Sequence, residues 1–192
     1  EWFKILKSET IQETVPREIL DNLKSFTLPN LFQRTLMKLI VKELKSSQIN
    51  KLNEAFMMLD KENTGYIDSN KLELAFHNLE LPVKKEDIQE IMKNCNLNHG
   101  ISERVNYTSF IAAAIDKKEL FTKEILWETF NHLDTNDTGY LTIDSIVKAF
   151  DRTGKKKPQE TILKMFNEIG LDENSKVNFD QFKELLTRDM EF

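Results

Sequence analysis

Two stretches of this chain spell the same eight-residue pattern. Asp60-Lys61-Glu62-Asn63-Thr64-Gly65-Tyr66-Ile67 and Asp134-Thr135-Asn136-Asp137-Thr138-Gly139-Tyr140-Leu141 both read D-x-x-x-T-G-Y-[IL]. A match this long marks an internal repeat, which restricts the fold more than any compositional figure. Each copy follows an apolar run at helical spacing, residues 53–59 and 128–133, and precedes a second such run. Two weaker copies fill the gaps. One has Ile91 and Met92 before its loop and 105–110 after it; the other has Phe166 and Ile169 before its loop and Val177 within it. The second loop starts at Asn96 when counted from its entering helix and at Asn98 when counted back from its exit, which a two-residue insertion reconciles. The repeat starts then fall at 60, 96, 134 and 170.

Composition agrees with helices. The 192 residues are 40% apolar and include thirteen Phe, enough for a real core, while five Gly and four Pro leave few turns for an all-β fold. No apolar run of transmembrane length occurs, and the start lacks a signal-peptide pattern. One cysteine, Cys95, excludes an internal disulfide and a Cys-based zinc site, and predicts a reduced, intracellular, cytoplasmic setting. A net charge of −5 argues against a nucleic-acid partner. The charge is uneven: residues 1–45 carry 8 basic and 6 acidic side chains, 46–115 carry 7 and 10, and 116–192 carry 12 and 16. The chain begins on Glu1 rather than Met, which predicts a fragment or a processed chain.

The first 45 residues lie outside the repeats. Ile19, Leu20, Leu23 and Phe26 share one helical face, and Leu31, Phe32, Leu36, Leu39, Ile40, Val41 and Leu44 continue an amphipathic stretch. Pro29 predicts a break between a helix ending near Ser25 and one running from about Pro29 to Leu44. Ser47 is the expected N-cap of the first repeat.

The repeated loop resembles the EF-hand, a helix–loop–helix calcium site with Gly at its sixth position. The resemblance implies an all-α fold of two EF-hand lobes, each a pair of hands joined by a short antiparallel contact at the eighth loop position. Ile67 is then expected opposite Val105, and Leu141 opposite Val177. Phe56, Phe76, Ile91, Met92 and Phe110 would fill one lobe; Phe130, Ile146, Phe150, Phe166 and Phe182 would fill the other. The arm followed by four hands is similar to the regulatory end of calcium-dependent protein kinases. Asp21 to Phe26 matches the start of that family's junction helix, Glu1-Trp2-Phe3 looks like the last helix of a kinase lobe, and Phe110 to Ala114 resembles the helix leaving its second hand. The implied organisation is 1–45, a kinase remnant and autoinhibitory junction helices; 46–115, the N-terminal lobe; and 116–192, the C-terminal lobe. Leu23, Phe26, Leu31, Phe32, Leu36, Leu39 and Ile40 are the junction side chains the lobes would grip.

The loops depart from their family. A calcium loop supplies oxygens from positions one, three, five, seven and nine and a bidentate Glu at twelve. Loop one offers Asp60, Glu62, Thr64, the Tyr66 carbonyl and Asp68, then Lys71 at twelve. Loop three offers Asp134, Asn136, Thr138, the Tyr140 carbonyl and Thr142, then Ser145. Loop two ends on Ser109, and loop four begins on Gly170 and ends on Gln181. With no carboxylate at the twelfth position, these sites are expected to be vestigial, with weak calcium or magnesium binding at most and no certain cofactor. His77, His99 and His132 are scattered and read as ordinary helix or loop residues.

The function implied by the resemblance is control of a serine/threonine protein kinase by gripping or releasing its junction helix, with the chain's own kinase domain and junction helix as partners. No catalytic motif lies in these residues, so this piece is expected not to be an enzyme. The alternative is a stand-alone, light-chain-like interaction protein that clamps a partner helix without calcium. Ser25 and Thr27 beside Pro29 are candidate phosphorylation positions, and Lys155-Lys156-Lys157 reads either as a solvated linker or as a contact for an acidic kinase surface.

Overall fold

Helical spacing of apolar residues decides nearly every element. The computed structural model describes residues 14–28, 30–97, 104–152, 154 and 157–188. The arm forms α1 (Arg17–Ser25) and α2 (Leu31–Glu43). The first pair of repeats follows as α3 (Ser46–Leu59), β1 (Tyr66–Asp68), α4 (Ser69–Asn78), α5 (Lys85–Cys95), β2 (Arg104–Asn106) and α6 (Tyr107–Ala114). A four-residue turn of helix, α7 (Lys117–Leu120), leads to the second pair: α8 (Lys123–Leu133), α9 (Ile143–Arg152), α10 (Gln159–Glu168) and α11 (Phe179–Thr187). The fold is all-α with one small two-stranded sheet.

Two helix starts differ from expectation, for one reason: the side chain that captures the free N–H groups wins over residue-type preference. The α2 helix begins at Leu31 because the Asn30 side chain accepts the Gln33 N–H at 2.8 Å; Pro29 itself lies outside the described residues. The α3 helix does not use Ser47 as its cap. Gln48 Oε1 reaches back to the Lys45 N–H at 2.9 Å, so Ser46 and Ser47 already sit in the first turn.

The loops pair as the repeat implied. Ile67 lies opposite Val105 in an antiparallel ladder, and Leu141 and Val177 form a single antiparallel bridge with N–H to O distances of 2.8 and 3.0 Å. All four side chains are buried. The α5 helix ends at Cys95, yet Val105 is the paired residue, so the second loop is longer than the first by two residues.

All ten aromatic and aliphatic residues named for the two cores are buried. Phe56 meets Phe110 edge-on at 5.4 Å in the first lobe, and Phe130 meets Phe182 at 5.6 Å in the second. The arm completes both cores. The α1 helix packs on α5 and α6, while α2 packs on α6 from the first lobe and on α8, α10 and α11 from the second. Leu20, Leu36 and Ile40 are wholly shielded from solvent there.

Removing such a side chain leaves a cavity between rigid helices. Leu36→Ala should therefore lower unfolding stability by about 2–5 kcal/mol in urea denaturation. A loss below about 1 kcal/mol would contradict the packing of α2 between the lobes.

Candidate functional site

Loop one is built around Asp60. Its Oδ1 accepts from the Thr64 N–H at 3.1 Å and the Thr64 hydroxyl at 2.7 Å; its Oδ2 accepts from the Gly65 N–H at 2.6 Å. The tight curl needs left-handed backbone at Asn63 and at Gly65, where φ is +79°, a conformation costing about 1–2 kcal/mol for a residue with a Cβ. The Lys71 side chain folds inward from α4. Its Nζ lies 3.1 Å from Asp60 Oδ1, 3.4 Å from the Tyr66 carbonyl and 3.5 Å from Glu62 Oε2. Burial alone would raise the Asp60 pKa, but the hydrogen bonds from Thr64, Gly65 and Lys71 together hold its carboxyl well below the usual carboxylate range. The bond to Asp60 raises the pKa of Lys71 in turn.

Loop three repeats this frame. Asp134 accepts from the Thr138 N–H and hydroxyl, both at 3.1 Å, and from the Gly139 N–H at 2.7 Å. The Thr138 hydroxyl also lies 3.1 Å from the Tyr140 carbonyl, and Asn136 occupies the third position. Ser145 is too short to reach Asp134. It turns to Thr142 instead: the Thr142 N–H donates to Ser145 Oγ at 3.0 Å, and the Ser145 N–H donates to Thr142 Oγ1 at 3.2 Å.

That last contact belongs to a rule common to all four loops. The ninth-position residue caps the exiting helix by accepting the N–H of the twelfth. Asp68 takes Lys71, Asn106 takes Ser109, Thr142 takes Ser145 and Asn178 takes Gln181, at 2.9 to 3.2 Å. In each loop, then, a side chain of the loop itself shapes the start of the exiting helix. In loop four, Gly170 has φ +82° and follows α10, with the Leu171 N–H donating to the Phe166 carbonyl at 2.9 Å, a helix stop rather than a ligand position. Asp172, which sequence reasoning passed over, closes this loop by accepting from the Ser175 hydroxyl at 2.6 Å and the Asn174 N–H at 3.0 Å; the Ser175 bond foremost lowers its pKa. The sequence signal was the short Asp-x-x-Ser spacing. Residues 98–103 of loop two lie outside the described residues.

Tested against calcium, loop one does not fit, because a lysine ammonium stands among the oxygens that would face the ion. At its ligand positions loop three has one carboxylate, Asp134, and its twelfth side chain is engaged in a helix cap. Among the described residues no group of three His, Cys, Asp or Glu side chains is placed to hold a metal.

The arm is the second candidate surface, and polar anchors missed by sequence reasoning fix it. The Asn22 amide donates to the Ala114 carbonyl at the end of α6, 2.9 Å away. Glu168 of α10 accepts the Leu31 N–H at 2.8 Å, placing a carboxylate at the N-terminus of α2. Gln33 is fully buried, and its Nε2 donates to the Leu186 and Arg188 carbonyls at the C-terminal end of α11, at 3.1 and 3.0 Å. The Arg34 side chain donates to the Leu28 carbonyl at 2.9 Å, bridging the break between the arm helices. Of the expected grip residues, Leu23, Phe26, Phe32, Leu36, Leu39 and Ile40 are buried and Leu31 is partly buried; Phe32 meets Phe166 edge-on at 6.5 Å.

Other residues singled out in the sequence have ordinary surroundings. Burial pushes the Cys95 thiol up to about 12, leaving no thiolate near neutral pH. His132 lies 3.9 Å from Glu43, and Lys157 sits over the Phe150 ring at 5.6 Å. Residues 1–3, His99, Lys155 and Lys156 lie outside the described residues.

With the hands, their paired loops and the arm in place, the comparisons agree with the geometry. A family model described as an EF-hand domain pair matches residues 49–115 and 123–187, more than half of the chain, and the chain belongs to the EF-hand family. Within it, the chain is 23% identical over 174 residues to calcium-dependent protein kinase 9 of Arabidopsis thaliana, covering 91% of this chain and 32% of that kinase. It is 26% identical over 193 residues to calcium-dependent protein kinase 3 of Plasmodium berghei (strain Anka), covering 96% and 34%. It is also 26% identical over 204 residues to the probable calcium-binding protein CML21 of Arabidopsis thaliana, covering 93% and 87%. The chain spans about one third of the length of the kinases it matches. What it resembles in them is the EF-hand regulatory region, not the catalytic domain.

The Asp60 network sets a direction for pH. Its folded-state pKa lies below the ordinary 3.8, so the stability it contributes is complete above that value and is lost as pH falls toward the lower folded one. Carboxyl NMR should show Asp60 still ionised at about pH 3. Titration of Asp60 at 3.8 or higher would contradict the network.

Proposed function

We propose that this chain is the regulatory module of a calcium-dependent serine/threonine protein kinase type of protein. It works by holding its own junction helices, and calcium has a weak part or none. In this reading residues 1–45 are the kinase remnant and junction, 46–115 the first lobe and 116–192 the second. The partner is the kinase domain of the same protein, and the setting is the cytoplasm. Asp60, Glu62, Thr64, Tyr66 and Asp68 are vestiges of one ion site, and Asp134, Asn136, Thr138, Tyr140 and Thr142 of another. Lys71, Ser109, Ser145 and Gln181 are the substitutions that disable the four loops.

The observation that carries this reading is the seating of the arm. Both lobes turn apolar faces to α1 and α2, so the surface a partner helix would use is covered by the chain's own segment. A ligand shifts a conformational equilibrium only by its difference in affinity for the two states. A millimolar loop exposed to micromolar calcium supplies almost nothing of that kind. Release of the arm would then depend on another input, such as phosphorylation of Ser25 or Thr27 or a competing protein surface.

The match over most of CML21 favours a second reading, a free-standing EF-hand clamp. The two separate in an assay of the complete gene product. A regulatory module predicts a kinase whose activity changes severalfold when the arm is loosened by Phe32→Asp, and less than about twofold between EGTA and micromolar Ca²⁺. A tenfold calcium response would contradict the calcium-independent grip. A complete product without a kinase domain would leave the clamp.

A further inference from the structure

We propose that Lys71 is the resident cation of loop one, its tethered ammonium taking the place of a divalent ion and holding the loop closed. Three observations support this assignment, and they apply whatever the chain regulates.

The first is coordination. The Lys71 ammonium faces oxygens from the first, third and seventh loop positions: Asp60 Oδ1 at 3.1 Å, Glu62 Oε2 at 3.5 Å and the Tyr66 carbonyl at 3.4 Å. An ammonium has three protons to offer; Asp60 and the Tyr66 carbonyl accept from it, and the more exposed Glu62 carboxylate lies at ion-pair distance. These are positions that ring the ion in a calcium loop, where oxygens stand at about 2.3–2.6 Å from the metal. The 3.1 Å contact to Asp60 has ordinary N–H···O length, and the two longer ones are electrostatic contacts at the edge of hydrogen-bond range.

The second is burial. The Asp60 side chain is only 4% exposed and that of Lys71 18%, although lysine ordinarily keeps its head in water. A buried carboxylate needs a counter-charge or dense hydrogen bonding, and Asp60 has both. The ammonium enters from α4, so it ties the exiting helix to the residue where the entering helix ends. In a metal-loaded hand the bidentate Glu at the twelfth position makes that tie through the ion. Here one side chain is both tie and cation.

The third is loop three, an internal comparison within the same chain. It has the same Asp-x-x-x-Thr-Gly-Tyr frame and the same hydrogen bonds to its first carboxylate. Its twelfth residue is Ser145, and among the described residues no lysine or arginine forms an ion pair with Asp134. The loops differ at the third, ninth and twelfth positions, where loop one has Glu62, Asp68 and Lys71 and loop three has Asn136, Thr142 and Ser145; of the two, among the described residues, only loop one brings a cation to its first carboxylate. A second cation cannot share the Asp60 cage with the ammonium, so loop one excludes calcium by occupancy as well as by missing a ligand.

The charge of one residue therefore decides whether the loop is self-closed or ion-dependent. The test uses the 192-residue chain as wild type, Lys71→Gln and Lys71→Glu, with EDTA or CaCl₂ as the sole additions. Amide exchange at Thr64 and Gly65 and calorimetric calcium binding are the readouts. Wild type should be protected in EDTA and unchanged by Ca²⁺. Lys71→Gln should exchange at least about 10-fold faster at both amides in EDTA. Lys71→Glu should be unprotected in EDTA, regain protection in Ca²⁺, and bind the ion about 100-fold more tightly than wild type, the span between weak and sensor-type loops. Wild-type protection in Lys71→Gln overturns the proposal. So does a folded Lys71→Glu with no gain in calcium affinity. Should Lys71→Glu fail to fold in both solutions, Lys71→Gln decides by the same criterion.

Discussion

The burial of α2 between the two lobes is the contact on which the rest depends. A helix of 13 residues is marginal on its own in water. It is helical here because Phe32, Leu36, Leu39 and Ile40 are covered by α6 on one side and by α8, α10 and α11 on the other. The dependence runs both ways, because without α2 each lobe would expose a contiguous apolar face to solvent. Polar groups at the helix ends fix the position that apolar packing alone would leave loose. Glu168 serves the start of α2, Gln33 serves the carbonyls that end α11, and Asn22 serves the end of α6. In each case a side chain of one part satisfies a helix terminus of another, so a shift of the arm would leave buried groups unpaired.

In the proposed reading, the loops hold their shape through their own side chains although ion ligands are missing. Three features shape the described loops: a carboxylate or turn that curls the loop, an antiparallel contact at the eighth position, and a ninth-position cap on the exiting helix. None requires a cation in principle. The first carboxylate, once buried, does require compensation, and loops one and three solve this differently. Asp60 has an ammonium, whereas Asp134 relies on N–H and hydroxyl donors. Calcium would normally couple loop geometry to the angle between helices; here the arm supplies the apolar contacts that such a rearrangement would otherwise expose.

Much of this was legible from residues. The D-x-x-x-T-G-Y repeat located the paired loops, and its eighth-position apolar residues gave both β contacts because that side chain must be buried wherever two loops meet. The apolar stripes of the arm and of the hands gave the core for the same reason. Helix starts were less legible. Ser47 and Pro29 have the right residue types for a helix start, but Gln48 and Asn30 made the deciding hydrogen bonds. The anchors Gln33, Asn22 and Glu168 were not legible at all, since their partners lie more than ninety residues away and are backbone atoms without sequence identity. At the twelfth position of loop one, the sequence exposed the loss of a ligand. Only the geometry shows the lysine turned inward onto the carboxylate it faces.

If packing rather than an ion holds the arm, the arm is seated without calcium. Nuclear Overhauser spectroscopy on the chain in EDTA addresses this directly. Cross-peaks between the Phe32 and Phe166 rings and between the Asn22 side-chain amide and the Ala114–Ile115 segment should be present, and adding Ca²⁺ should leave them unchanged. Their absence in EDTA with appearance in Ca²⁺ would show that the ion, not the packing of the arm, holds this structure together.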